Sequence, residues 1–375
     1  MDKGIRKIII VTHGFYPEQS PRSFRATELA KEFVRQGHKV TVVAPARKGM
    51  ESLTKDYSIE IIGIKDISWK VPLLKINNSY ALVLNRVIKR FLSLLFEYPH
   101  IQISHTVKKT LKDQNGFDML ISVAVPYPIH WGVAAAWSRN GHSNPASIWV
   151  ADCGDPYMGG ENDSFRKPFY FKFVEKWMFR KTDYITVPTK ESIAAYYPEF
   201  HEKIRVIPQG FRFEDVKQNE HRSNDIPFFA YAGAFIPGRR DPREFLEYLS
   251  NQNRDFRFYI YTNQRDFVSS YVKNGDHRVI LRDYIPRLEL LDELSSMDFV
   301  VNFENFGNTQ TPSKLIDYAI IDKPVLPIKT GSLNEQAVNE FLDGNYSKRF
   351  VIDNPEQYRI EQVTRRFLDL CKQEN

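Results

Sequence analysis

The sequence predicts an α/β protein of two doubly wound domains, each a parallel sheet with helices on both faces, set across a cleft. Three observations predict it. Short, near-continuous apolar runs recur along all 375 residues, as in strands buried on both faces. Stretches with apolar residues at helical spacing separate them. A polar, charged segment at 208–225, ending in QNEHRSND, divides this alternation into two halves of similar order. The boundaries read from it are an N-terminal domain over 1–212, a linker over 213–225 and a C-terminal domain over 226–354. A last helix near 355–375 is placed to pack back onto the first domain.

The elements follow in order. Lys7 to Thr12 (KIIIVT) reads as a buried strand, and Gly14, Pro17 and Pro21 mark the loop after it. Ser23 to Gln36 carries Phe24, Leu29, Phe33 and Val34 at helical spacing, and Gly37-His38 stops it. Lys39 to Ala44 is the next strand. A strand–helix–strand unit this short opens a right-handed doubly wound sheet. Further predicted strands are 59–64, 118–123, 147–151, 183–187 and 203–207, with helices over 80–97, 101–114, 129–140, 165–181 and 190–197. In the second half, strands over 227–231, 256–261, 277–280, 298–303 and 324–328 alternate with helices over 241–251, 265–273, 287–296 and 312–321. Two more helices are predicted, over 332–341 and 355–373.

Composition narrows the partners. The net charge is +6 and aromatic residues make up 14 %, many of them beside Lys or Arg. Acidic partners are expected: nucleotide phosphates or lipid phosphates. The basic residues are spread and no nucleic-acid module is visible, which argues against nucleic acid. Cys153 and Cys371 lie far apart and imply no disulfide framework, as in a reducing cytoplasm. The apolar run after the charged start is too short for a signal peptide, and no stretch approaches the ~20 apolar residues of a spanning helix. No spacing of His, Cys or clustered carboxylates suggests a metal site, so no metal and no cofactor are expected.

The most informative stretch is NFENFGNTQTPSKLIDYAIIDKPVLPI, from Asn302 to Ile328. It reads as strand, loop, helix, strand. Thr311 suits an N-cap and Pro312 the first helical position. Free N–H groups at such a helix start, with Lys314 in the first turn, suit an anion. Asp317 lies one turn along, where a carboxylate accepts hydrogen bonds from a vicinal diol. Phosphate at the cap with a diol one turn in describes a nucleotide-diphosphate sugar. Asp152 and Asp155 follow the strand over 147–151. A carboxylate there can take a proton from an acceptor hydroxyl or stabilise an oxocarbenium-like centre.

In order, KIIIVTHGFYP with ELAKEFVRQGHKVTVVA, WVADCGDPY, RVIPQGF, YAGAFIPGRRDP and TPSKLIDY followed by DKPVL resemble segments of one known family. The chain resembles a GT-B fold glycosyltransferase, most similar to the family 4 group that builds bacterial surface polysaccharides. The resemblance spans nearly the whole chain and departs at named positions. The family's paired glutamates fall on Thr309 and Asp317, an arginine often found after the glycine of the second domain's first loop is Ala234, and its paired glycines in the opening loop are replaced by Gln19 to Arg22.

The resemblance implies metal-independent transfer of a sugar, with retention, from a nucleotide-diphosphate sugar to a hydroxyl of a lipid-linked glycan. The donor-binding set is then Arg239, Arg240, Thr309, Gln310, Thr311, Ser313, Lys314 and Asp317. Catalytic candidates are Asp152, Asp155 and His13, with the choice between the two aspartates open. Arg22, Arg25 and His130 are the acceptor candidates. Residues 69–98 interleave Lys70, Arg86, Lys89 and Arg90 with Leu82, Val87 and Phe91; such a helix either lies on an anionic bilayer or packs ordinarily on the core. The expected location is the cytoplasmic face of the membrane. A nucleotide-sugar 2-epimerase of the same fold and a non-catalytic GT-B scaffold subunit are the alternatives.

Overall fold

The computed structural model describes residues 4–71, 79–138, 143–160, 166–216, 224–272, 276–304 and 313–372, with backbone only at 79, 80 and 313–315. The chain divides into two compact units, 1–211 with 357–375, and 212–356. Each contains a parallel sheet between helices, and these are two Rossmann-like domains.

The first unit runs β1 (Lys7–Thr12), α1 (Pro21–Arg35), β2 (Lys39–Pro45), α2 (Glu51–Tyr57), β3 (Glu60–Ile64), α3 (Ser79–Phe96), α4 (Ile101–Leu111), β4 (Phe117–Ala124), α5 (Pro128–Ala136), β5 (Ala146–Cys153), α6 (Phe171–Phe179), β6 (Tyr184–Val187) and β7 (Ile204–Val206). Its described strands are ordered β3-β2-β1-β4-β5-β6-β7. The order reverses between β1 and β4, the switch point beside which such sheets bind ligands. β1 shows why the run is continuously apolar. Ile9 and Val11 join the core on one face of the sheet, and Ile8 and Ile10 join the core on the other. α1 starts where Ser20, extended at φ −133°, accepts a hydrogen bond from the Ser23 N–H at 3.2 Å, with Pro21 as the first helical residue.

The second unit runs β8 (Phe228–Ala232), α7 (Arg243–Ser250), β9 (Arg257–Tyr261), α8 (Arg265–Ser269), β10 (Val279–Arg282), α9 (Arg287–Ser295), β11 (Phe299–Phe303), α10 (Ser313–Ile321), β12 (Val325–Ile328) and α11 (Glu335–Leu342). The strand order is β10-β9-β8-β11-β12. Part of the aromatic excess is spent here. Phe229 stacks on Phe299 at 4.5 Å and on Phe258 at 4.7 Å, linking three adjacent strands across one face.

α12 (Ile360–Leu370) belongs to the first unit. Its Val363 and Phe367 share a core with Ala26, Ala30 and Phe33 of α1. Gly210 lies so close that a Cβ there would meet the Val363 side chain at 2.8 Å.

Several elements differ from the sequence prediction. α6 begins at Phe171, because Pro168 lies inside the predicted helix and cannot continue one. The predicted helix over 190–197 is a 3-10 turn over Glu191–Ala195. α12 starts only at Ile360, since Arg359 is extended. α2 was not predicted: ESLTKDY has only Leu53 buried and no apolar period to show it. α3 is the other departure from an ordinary core helix. Leu82, Val83, Val87, Phe91 and Phe96 are each 56–57 % exposed, beside the exposed Arg86, Lys89 and Arg90. Among the described residues, no helix is long and apolar enough to cross a membrane.

Candidate functional site

In the first unit the site residues gather where β5 ends. Asp152 and Cys153 are its last residues, and the chain leaves through Gly154 and Asp155. Asp152 is buried. Arg25 of α1 grips it from both sides, with Nε 3.0 Å from Oδ2 and Nη2 2.9 Å from Oδ1. The Thr186 hydroxyl of β6 donates to Oδ1 at 2.6 Å. Burial alone would raise this carboxyl, but the Arg25 charge and the hydrogen bonds from Arg25 and Thr186 outweigh it and hold it below the usual carboxylate range. Two further Arg25 N–H groups go to backbone: Nη1 donates to the Pro208 carbonyl at 2.5 Å and Nη2 to that of Ile207 at 3.2 Å. Phe367 of α12 covers the guanidinium at 5.2 Å.

Asp155 is in a different medium. Its side chain is 49 % exposed and Arg22 Nη2 lies 3.6 Å from Oδ2. Arg22, at the start of α1, passes flat against the intervening Gly154, where a Cβ would fall 1.7 Å from Nη1. Glycine is what allows the guanidinium to reach the aspartate. The Asp155 carbonyl accepts a hydrogen bond from the Tyr127 hydroxyl at 2.8 Å.

His13 follows β1, and its Nε2 lies 3.1 Å from Asp66 Oδ1. His130 of α5 is completely buried, with Nδ1 2.7 Å from the Ser122 hydroxyl and Nε2 3.6 Å from Cys153 Sγ. Burial pushes its pKa down to about 3, so it is a neutral core group. The sequence grouped Arg22, Arg25 and His130 as acceptor contacts. The structure sets Arg22 beside Asp155 and puts Arg25 and His130 in the interior, with polar partners there.

In the second unit, Arg239 and Arg240 close a turn after β8. Gly238 takes φ +73° there and donates its N–H to Asp241 Oδ2 at 3.0 Å. Arg239 is exposed. Arg240 is half-buried beside the Tyr231 hydroxyl. Asp241 is held at about 2, mainly by hydrogen bonds from Arg243 against the opposing effect of burial. Asp317 of α10 receives Arg287 of α9, with Nε at 2.9 Å and Nη2 at 2.5 Å from Oδ1. The neighbouring Tyr318 fixes α10 to β11 through a 2.9 Å hydrogen bond to the Val301 carbonyl. Ser313 and Lys314 are the first two residues of α10. Thr309, Gln310 and Thr311 lie outside the described residues. Among the described residues no three His, Cys, Asp or Glu side chains group as metal ligands.

Sequence reasoning missed Arg287 as the partner of Asp317, and Tyr127 as a support of the Asp155 loop. Neither leaves a local signal, because each pair meets only through the fold.

The sequence profile of Glycosyltransferase Family 4 matches residues 23–214. No curated protein is significantly similar in sequence. Solved structures are similar in fold. A glycosyltransferase from Rickettsia africae superposes with TM-score 0.64 at 11 % identity, covering 98 % of both chains. HepE from Anabaena, solved with UDP-glucose, gives 0.59 at 11 % identity, covering 98 % of this chain and all of that one. The lipopolysaccharide outer core galactosyltransferase WaaB gives 0.59 at 10 % identity over the same shares. At such identities the likeness shows the GT-B fold alone, whereas the profile spans half of this chain. With two Rossmann-like units and that profile, the chain belongs to glycosyltransferase family 4, enzymes that transfer a sugar from a nucleotide-sugar donor.

Proposed function

We propose that this enzyme moves a sugar from a nucleotide-diphosphate sugar to a hydroxyl of a lipid-linked glycan during surface-polysaccharide synthesis. Transfer is with retention and without a metal ion. The observation that carries this reading is the pair at the end of β5 in a family 4 chain: a buried, fully engaged Asp152 and a half-exposed Asp155 beside Arg22.

In this reading Asp155 is the reacting carboxylate, and Asp152 with Arg25 is the brace that fixes β5 against α1. An aspartate that accepts three short hydrogen bonds in the interior is poorly placed to take a proton from substrate. Arg22 meets negative charge on the acceptor, and His13 borders the same end of the sheet. The second unit holds the donor. Arg239, Arg240, Ser313, Lys314 and the stretch 309–311 are assigned to its diphosphate, and Asp317 to the ribose. Cationic side chains and a helix start would stabilise the charge that builds on the leaving diphosphate.

UDP-glucose in the HepE structure makes uridine donors the first to test. A thermal-shift series across UDP-, GDP- and dTDP-sugars tests the donor assignment. One nucleotide class is expected to raise the melting temperature in a concentration-dependent way, by mass action on the folded state. No shift with any of them contradicts it. Incubating the protein with the stabilising nucleotide sugar alone separates transfer from epimerisation, because rapid epimer formation without an acceptor would overturn the transferase reading.

The working location is the inner surface of the membrane. Support comes from α3 and the start of α6, where exposed Phe91, Phe96, Phe169 and Phe173 stand among Lys89, Arg90 and Lys172. Apolar groups that insert, with cations that meet anionic headgroups, suit a bilayer surface.

A further inference from the structure

We propose that Glu97 is a positioning residue for the transfer reaction: through the Tyr157 hydroxyl it fixes the loop that carries Asp155. The inference rests on the reading of Asp155 as the reacting carboxylate, and adds to it a residue distant in sequence that sets where that carboxylate stands.

Glu97 sits just past the end of α3 in an unusual backbone conformation, φ +51°, which is costly for a residue with a Cβ and persists only where surroundings fix it. The surroundings are on both sides of the residue. Its N–H donates to the Ser93 carbonyl at 3.0 Å, and its own carbonyl accepts from the Ile101 N–H at 2.8 Å, so it is the joint between α3 and α4. That conformation sends the side chain inward, where the residue is 6 % exposed. A carboxylate so placed needs donors. Two converge on Oε1: the Tyr157 hydroxyl at 2.9 Å, and the Lys167 ammonium. Lys167 also lies 4.9 Å from the centre of the Tyr157 ring, so the cation holds both members of the pair.

Tyr157 lies in the loop that leaves β5. Its ring packs 4.6 Å from Tyr127, 5.5 Å from Phe171 and 5.7 Å from Trp131. Tyr127, the ring it touches most closely, donates its own hydroxyl to the Asp155 carbonyl. The loop is therefore held at successive points: the Cys153 carbonyl by Tyr196, the Asp155 carbonyl by Tyr127, the Tyr157 hydroxyl by Glu97, and the Met158 N–H by Glu175. Packing alone leaves an aromatic ring several nearby positions. The hydrogen bond to a carboxylate on a fixed joint selects one, and Tyr127 passes that choice to Asp155. Misplacement of a reacting group by about 1 Å costs rate rather than binding.

The test compares Glu97→Gln, Tyr157→Phe, the double variant and Asp155→Asn. Two measurements are made on the full chain: hydrogen exchange of loop amides over 153–160, and UDP release from UDP-glucose with a membrane lipid extract as acceptor, less the release without it. Tyr157→Phe keeps the ring, so it retains the fold even if Glu97→Gln, which strands Lys167, does not. The expected result is faster exchange confined to this loop and a kcat lowered about tenfold, the rate equivalent of one lost charge-assisted hydrogen bond. KM for UDP-glucose is unchanged, and the double variant is no worse than the single ones, since both act on the same bond, Tyr157→Phe by removing its donor and Glu97→Gln by removing the charge of its acceptor. Unchanged loop exchange in Tyr157→Phe overturns the proposal. So does unchanged kcat, or a rise in KM alone. Asp155→Asn turning over at the wild-type rate sinks the role of Asp155 and with it the catalytic meaning of Glu97. In that case faster loop exchange in Tyr157→Phe would still show the grip to exist.

Discussion

Asp152 and Asp155 lie on one short stretch but in different media, and the difference predicts opposite phenotypes. Asp152 accepts from Arg25 and Thr186 in the interior. Replacing it with Ala strands a buried guanidinium, a change that costs about 3–5 kcal/mol in comparable buried pairs. The expected outcome is a large fall in melting temperature. Asp155→Asn is expected to leave stability within about 0.5 kcal/mol, as at exposed positions generally, and to lower kcat by at least about a hundredfold, the lower end for a lost acid–base group. Thermal melts with turnover on each variant check both. From sequence, the choice between the two aspartates stays open: Asp152 lies nearer the strand end and Asp155 matches the second aspartate of the family's motif. Arg25, which does distinguish them, is brought in from α1 by the fold.

His130 gives a prediction in pH. Burial lowers its pKa to about 3 from an ordinary value near 6.5. Between those values the unfolded chain binds the proton and the folded chain does not, so stability falls as pH drops from about 6.5 toward 3. His130→Gln should flatten that part of the stability curve, and urea unfolding at pH 7.5, 6 and 5 measures it. A curve as steep as the wild type's would show that the residue titrates in the folded state.

At the scale of elements, strands were easier to read than helix ends. Buried parallel strands leave continuous apolar runs, and KIIIVT and FVVNF are such runs. α2, without an apolar stripe, left nothing to read. α3 was legible as an amphipathic helix with two possible fates, and its exposed apolar side chains are what a core helix would have buried. If this face meets a bilayer, the full chain sediments with phosphatidylglycerol vesicles at low salt and less at high salt. Replacing Leu82, Val87 and Phe91 with Ser together should release it. Equal sedimentation with neutral phosphatidylcholine vesicles, or none with either, contradicts that role. α12 gives a stability prediction. Phe367 packs against Phe33 and the Arg25 guanidinium of α1, and Phe367→Ala should cost about 3–5 kcal/mol, as for other buried phenylalanines.

At the scale of the molecule, the doubly wound architecture followed from a repeated alternation of strand and helix, which is why the fold was readable while the site was only partly so. The segments resembling family 4 cover the ends of β5 and β8 and the helix α10, where the proposed site residues lie. They did not show which side chains are engaged with one another. Asp317 was assigned by position, and its contact with Arg287 comes from α9, thirty residues earlier in the chain. That contact holds the Asp317 carboxylate in place against α9.

Transfer itself is measured by following the sugar. Purified enzyme is incubated in EDTA with the radiolabelled nucleotide sugar that stabilises it and a membrane extract from a strain lacking it, and label is followed into the organic-extractable lipid fraction. Label is expected in that fraction with the wild type and is expected to be lost with Asp155→Asn. Label that stays in the aqueous sugar nucleotide, or lipid labelling that Asp155→Asn leaves intact, would contradict this reading.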